Sequence, residues 1–138
     1  TVLGQLSNTD GSGCSGPICF YDKITGNQDY IYFERYEAGI NPMGELRTLV
    51  RYNRNTGAYV TIEDVPPLIN RYIRLQITEN GVVYNERASN GDVAIKYITH
   101  NSTAPQLIHQ GDIYDVSLST DKECLFILTA NALLQYGL

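Results

Sequence analysis

The sequence predicts an all-β fold: a single-domain antiparallel sandwich or barrel built from short hairpins, with an extended N-terminal arm. Three observations predict it. Short apolar or alternating runs recur between turn signals at roughly 8–12-residue spacing. Gly, Asn and Asp fall between those runs, where tight turns need them. No amphipathic stretch with the 3.6-residue period exceeds about ten residues. The chain has 138 residues, of which 43% are hydrophobic, enough to close one core.

Residues 1–17 are rich in Gly, Ser, Asn and Thr, as in Ser7-Asn-Thr-Asp-Gly-Ser-Gly13. They read as an arm, and the domain proper runs over 18–138. Ile18-Cys-Phe-Tyr21 is a short apolar run, Asp22-Lys-Ile-Thr-Gly26 is read as a turn, and Tyr30-Ile-Tyr-Phe-Glu-Arg-Tyr36 as an aromatic-rich strand. The pattern returns in Leu46–Tyr52, Asn53-Arg-Asn-Thr-Gly57 and Tyr59–Glu63. The two units share Tyr-Asx-basic-x-Thr-Gly or a variant of it, because Asx side chains bond nearby backbone and Gly supplies a positive φ. Pro66-Pro67 separates these hairpins from the rest.

Tyr72–Thr78 alternates, with Ile73, Leu75 and Ile77 on one face. Asn80-Gly81 is the strongest hairpin signal in the chain, and Val82-Val-Tyr84 begins the return. Asn90-Gly91-Asp92 marks another turn, followed by strands at Val93–Ile98 and Ile113–Leu118. Cys124–Leu128 reads as a wholly apolar strand, its Cys124 a buried, inert thiol. Ala130–Tyr136 fits either a short helix or a last strand.

Composition narrows the function. The formal net charge is −5, which lacks the basic footprint of a duplex nucleic-acid or anionic-membrane binder. No run of roughly 18 apolar residues exists to span a bilayer as a helix. Thr1 opens a mixed polar segment without a basic and then apolar stretch, so no signal peptide is expected. Cys14 and Cys19 flank Gly16-Pro17, a spacing compatible with either a disulfide or two free thiols. Asn101-Ser102-Thr103 matches an N-glycosylation acceptor.

Catalytic patterns are weak. His100 and His109 lack the i, i+4 partner of a helical zinc site; with Asp112 they would form a metal site only if the intervening segment looped back. The bland reading is two polar loop residues. Carboxylates neighbour one another at Glu34 and Glu37, Glu63 and Asp64, and Asp112 and Asp115, and are read as solvated strand edges rather than a glycosidase pair. A Gly-x-Ser-x-Gly elbow is absent. No catalytic, cofactor-binding or metal residue is assigned, and no cofactor is expected.

Tyrosine is the enrichment: eleven Tyr, three Phe and no Trp. Tyr30, Tyr32 and Tyr36 share one parity and, with Leu3 and Leu6 of the arm, are the candidate interface. Tyrosines of this kind either pack against a core or neighbouring subunit, or form a stacking platform for sugars. The arm, the Tyr-Asx-basic-x-Thr-Gly units at 21–26 and 52–57, and the Asn- and Tyr-rich strands after residue 70 resemble, in style, structural proteins of tailed-bacteriophage particles. That resemblance implies a non-enzymatic virion component (capsid, decoration, collar or tail). Its partners would be copies of itself and other assembly subunits, neither nucleic acid nor membrane. The alternative is an extracellular carbohydrate-binding or adhesion module that meets a host-surface glycan.

Overall fold

A computed structural model describes residues 18–38, 45–65, 75–87 and 91–138. The arm at 1–17, with Leu3 and Leu6, the Cys14–Cys19 question and Pro66-Pro67 lie outside the described residues.

Every strand pairing is antiparallel and joins neighbours in sequence. The first sheet is β1 (Ile18–Gly26), β2 (Tyr30–Ala38), β3 (Glu45–Asn53) and β4 (Tyr59–Val65), in that order. The second is β5 (Gln76–Ile77), β6 (Gly81–Arg87), β7 (Val93–Thr99) and β8 (Gln106–Gly111). The third is β9 (Ile113–Leu118), β10 (Cys124–Thr129) and β11 (Leu133–Gly137). The all-β class built from short hairpins is therefore what the chain adopts. The packing is sandwich-like with three layers.

The layers follow from side-chain alternation, which sends successive residues of a strand to opposite faces. Val82, Tyr84 and Ile98 of the second sheet pack on Tyr32, Leu49 and Ile62 of the first. Val83, Val93, Ile95 and Tyr97 leave the opposite face and pack on Ile113, Leu125 and Ile127 of the third. The middle sheet is buried on both faces, which is why Val82-Val83-Tyr84 is continuously apolar. Each such buried aliphatic side chain contributes roughly 1.5–3 kcal/mol of transfer free energy.

Turn chemistry explains where the sheets fold back, and it corrects several expectations. Asp22–Gly26 is not a turn. It is the end of β1, with a bulge between Asp22 and Thr25 and Lys23 at φ 50°. The reversal comes at Asn27, whose Oδ1 accepts from the Asp29 and Tyr30 amides at 2.9 Å each. Asn53–Gly57 does turn as expected: Asn53 Oδ1 accepts from the Asn55 and Thr56 amides, and Gly57 sits at φ 73°. The two turns are tied to each other, since Asn55 Nδ2 donates to Asp29 Oδ1 at 2.9 Å and the Arg54 amide to the Asp29 carbonyl.

Asn80-Gly81 marks a hairpin, but Gly81 is not in a left-handed turn position. Glu79 and Asn80 are the bend, and Thr78 Oγ1 accepts from the Gly81 amide at 3.0 Å. Gly81 is the first residue of β6, opposite Thr99. A Cβ there would lie 2.2 Å from the Ile98 carbonyl oxygen and 2.8 Å from the Tyr97 ring. Close approach between strands, not a positive φ, demands glycine.

The C-terminal alternatives resolve as a strand: Thr129 Oγ1 accepts from the Ala132 amide and β11 follows. Cys124 is half-buried rather than in the core, and its Sγ accepts from Gln135 Nε2. Leu125 and Ile127 are the fully buried residues of that run. Glu34, read as a solvated edge, is fully buried in the first sheet.

Candidate functional site

Tyr30 and Tyr32 project from β2 toward the second sheet, so their shared face is the one that packs inside the chain. Tyr32 has no exposed surface, and Tyr30 is half-buried against it. The side chain of Tyr36 lies outside the description.

Both histidines hold seams between sheets. His100 follows β7, fixed where its amide donates to the Asn80 carbonyl at 2.9 Å. Its Nδ1 lies 2.8 Å from the Tyr32 hydroxyl, and its ring stacks on Tyr30 with centroids 4.3 Å apart at 13°. This joins the first sheet to the second. His109, on β8, places Nδ1 3.0 Å from the Tyr136 hydroxyl of β11 and so joins the second sheet to the third. The pair is therefore not a metal site with Asp112, and no cluster of three or more potential ligands occurs among the described residues. Both histidines are structural rather than loop polars, and their partners, 68 and 27 residues away in sequence, leave no local signal.

Arg51 reinforces the first seam. It is paired with Tyr32 across β2 and β3. Its guanidinium donates to the Ser102 carbonyl at 2.7 Å and the Thr99 carbonyl at 3.2 Å, and it also lies against the Tyr32 hydroxyl. Burial raises the Tyr32 phenol above its usual value, and the Arg51 contact partly offsets this. Burial lowers His100, against the opposing pull of the Thr78 and Glu79 carbonyls.

A groove of about 400 Å³ opens where the sheets' first strands converge. Thr25 of β1, Leu75–Ile77 at β5 and Leu118 at the end of β9 line it, with Ser119, Thr120 and Lys122 at one side. The adjoining Ser119–Cys124 turn is held by Asp121, whose Oδ1 accepts from the Ser119 hydroxyl and from the Glu123 amide. Those bonds hold the Asp121 carboxyl below its usual value.

Among the described residues, the outer face of the third sheet leaves paired apolar side chains open. Leu125, Ile127, Leu134 and Tyr136 point at the second sheet, so alternation turns Phe126, Leu128 and Leu133 outward. Leu128 is 44% exposed and Leu133 69%. They are directly paired across β10 and β11, with Asp115 opposite Leu128 on β9. On the first sheet, by contrast, Phe33 and Val50 face away from the second sheet and are still buried.

No family model matches the sequence, and no curated protein matches it. Among solved structures the chain is similar to the Pyrococcus horikoshii acylaminoacyl peptidase (orthorhombic crystal form), with a TM-score of 0.62 and 12% sequence identity. The match covers 80% of this chain and 17% of that one. At that identity the similarity is one of fold.

Proposed function

We propose that this chain is a non-enzymatic structural module that works by protein–protein contact, with the outer face of the third sheet as its contact surface and a second copy as the partner. The observation that carries the reading is the exposed, directly paired Leu128 and Leu133 beside the half-buried Phe126 on the outer face of the third sheet. Contiguous exposed apolar surface of this kind marks interaction sites. Because Phe33 and Val50 on the far face of the first sheet are already buried, like-with-like pairing of third sheets about a two-fold axis is favoured over head-to-tail stacking. The virion setting implied by the resemblance belongs to this proposal.

The neighbouring chemistry supports contact over catalysis. Each imidazole is engaged by a tyrosine hydroxyl rather than by a serine or cysteine. The peptidase resemblance, spanning a sixth of that chain, concerns the scaffold. A sugar platform would need several open tyrosine faces side by side; Tyr114 is exposed, but Tyr30 stacks on His100, and Tyr52 and Tyr59 lie on each other with centroids 4.7 Å apart.

The magnitude sets the expected strength. Three strands about 4.8 Å apart and six residues long present a face of about 300 Å², well below the roughly 800 Å² per partner of a standard interface. The contact is therefore weak and concentration-dependent. Sedimentation equilibrium should show a reversible dimer emerging toward millimolar concentration. Leu128→Lys combined with Leu133→Glu, an opposite-charge cross-strand pair, should return it to monomer with the domain still folded. A wild-type monomer throughout, or a double variant that dimerises equally, refutes the reading.

A further inference from the structure

The first seam has a property the contact surface does not use: its hydrogen bonds close only around a neutral imidazole. His100 is 8% exposed. Its Nε2 is enclosed, faces the Thr78 and Glu79 carbonyls, and makes no hydrogen bond of good geometry. A ring nitrogen facing carbonyls carries the proton, which leaves Nδ1 as the acceptor. Tyr32 then donates its hydroxyl proton to Nδ1, and the Tyr32 oxygen receives Arg51. The chain of donors runs Arg51 to Tyr32 to His100 Nδ1, with the Nε2 proton turned toward the 78–79 carbonyls without a well-formed bond.

A second proton on His100 has to sit on Nδ1. It removes the acceptor for the Tyr32 hydroxyl and sets two donors against each other. The hydroxyl cannot simply reverse, because Arg51 already occupies its oxygen side and has no acceptor to offer. The new cation also faces the Arg51 guanidinium, while Asp29, in the turn beside Tyr30, is the carboxylate that acts in its favour. Tyr30 covers the ring and keeps water away.

We propose that the Arg51–Tyr32–His100 chain is a proton-operated latch, and that protonating His100 loosens the first sheet from the second while leaving the second and third joined. The burial-driven lowering of His100 agrees with this geometry. The direction follows from linkage. The unfolded chain takes the proton near the ordinary value of 6.5, whereas the folded seam resists it until lower pH. Between those values the unfolded state binds more protons, so stability rises with pH. The latch contributes in full above 6.5 and loses its contribution as the pH falls below it, levelling at the folded value. Each unit of lowering is about a tenfold drop in the folded-to-unfolded ratio.

The test follows the imidazole ring protons of the full chain by NMR from pH 8 to 4.5, with His109→Gln assigning the two rings. Amide-exchange protection is measured at pH 7.5 and 5.5, corrected for intrinsic rates. His100 should titrate below 6.5, Tyr32→Phe should move it upward, and at pH 5.5 protection should fall at β2 and β3 while β9 and β10 keep theirs. The wild-type titration needs no variant, so it stands even if a substituted chain fails to fold. Titration at or above 6.5, or a uniform loss of protection over all three sheets, overturns the latch.

Discussion

Substituting Gly81 separates two reasons for a glycine. If glycine is needed for a left-handed backbone, asparagine should replace it better than alanine, since Asn tolerates that region. If close approach is the reason, both fail and the larger side chain fails worse. The structure supports the second. An alanine Cβ at Gly81 would lie 2.2 Å from the Ile98 carbonyl oxygen, so the strands must part by about 1 Å to reach an ordinary contact. The parting falls on the Gly81–Thr99 and Val82–Ile98 pairs. Overpacking costs about 1–3 kcal/mol, and one weakened ladder bond adds about 0.5–1.5 kcal/mol. The sum is about 1.5–4.5 kcal/mol, or a fall in Tm of roughly 5–20 °C for a domain of this size. Gly57 is the internal control, with φ 73° and nothing within 4 Å of its Cβ position. There alanine costs about 1–2 kcal/mol and asparagine less. Urea melts of the four variants decide it. Gly81→Ala within about 0.5 kcal/mol of wild type, or Gly81→Asn milder than Gly81→Ala, refutes the steric argument.

Two further outcomes are expected. Leu125→Ala removes a fully buried side chain from the seam between the second and third sheets. It should cost about 2–5 kcal/mol in a urea melt; a cost near zero would mean that this seam is loosely packed. Asp121 has a lowered pKa in the folded turn. Its contribution is present above the ordinary value of 3.8 and is lost as the pH falls beneath it. Asp121→Asn should therefore flatten the acid end of the stability profile, measured by Tm from pH 5 to 2, and an identical profile would show the turn does not depend on that carboxylate.

The strands were legible in the sequence where alternation or a run of apolar residues was strong, as at 93–98 and 113–118. Asn53–Gly57 was legible because its side chain and its glycine act within five residues. Asp22–Gly26 misled because the same Asx, Thr and Gly chemistry serves a bulge as well as a turn. Cys124–Leu128 read as uniformly apolar because nothing local says that Phe126 and Leu128 face out. The Tyr32–His100 and His109–Tyr136 pairs were invisible for a related reason. Register between sheets decides them, and that register depends on the packing of whole layers. Sheet count was equally hidden, since hairpins of one length build sandwiches, barrels and stacked blades alike.

Each layer of this molecule comes from one uninterrupted stretch of polypeptide, and every ladder joins a strand to the next one along. All-β proteins usually assemble slowly because their pairings span long loops that must close first. Here the zippering steps cost only short closures, and what stays nonlocal is the docking of finished layers. Refolding should accordingly be quick for a β protein, with hairpins forming early and the imidazole–phenol bolts between layers engaging last.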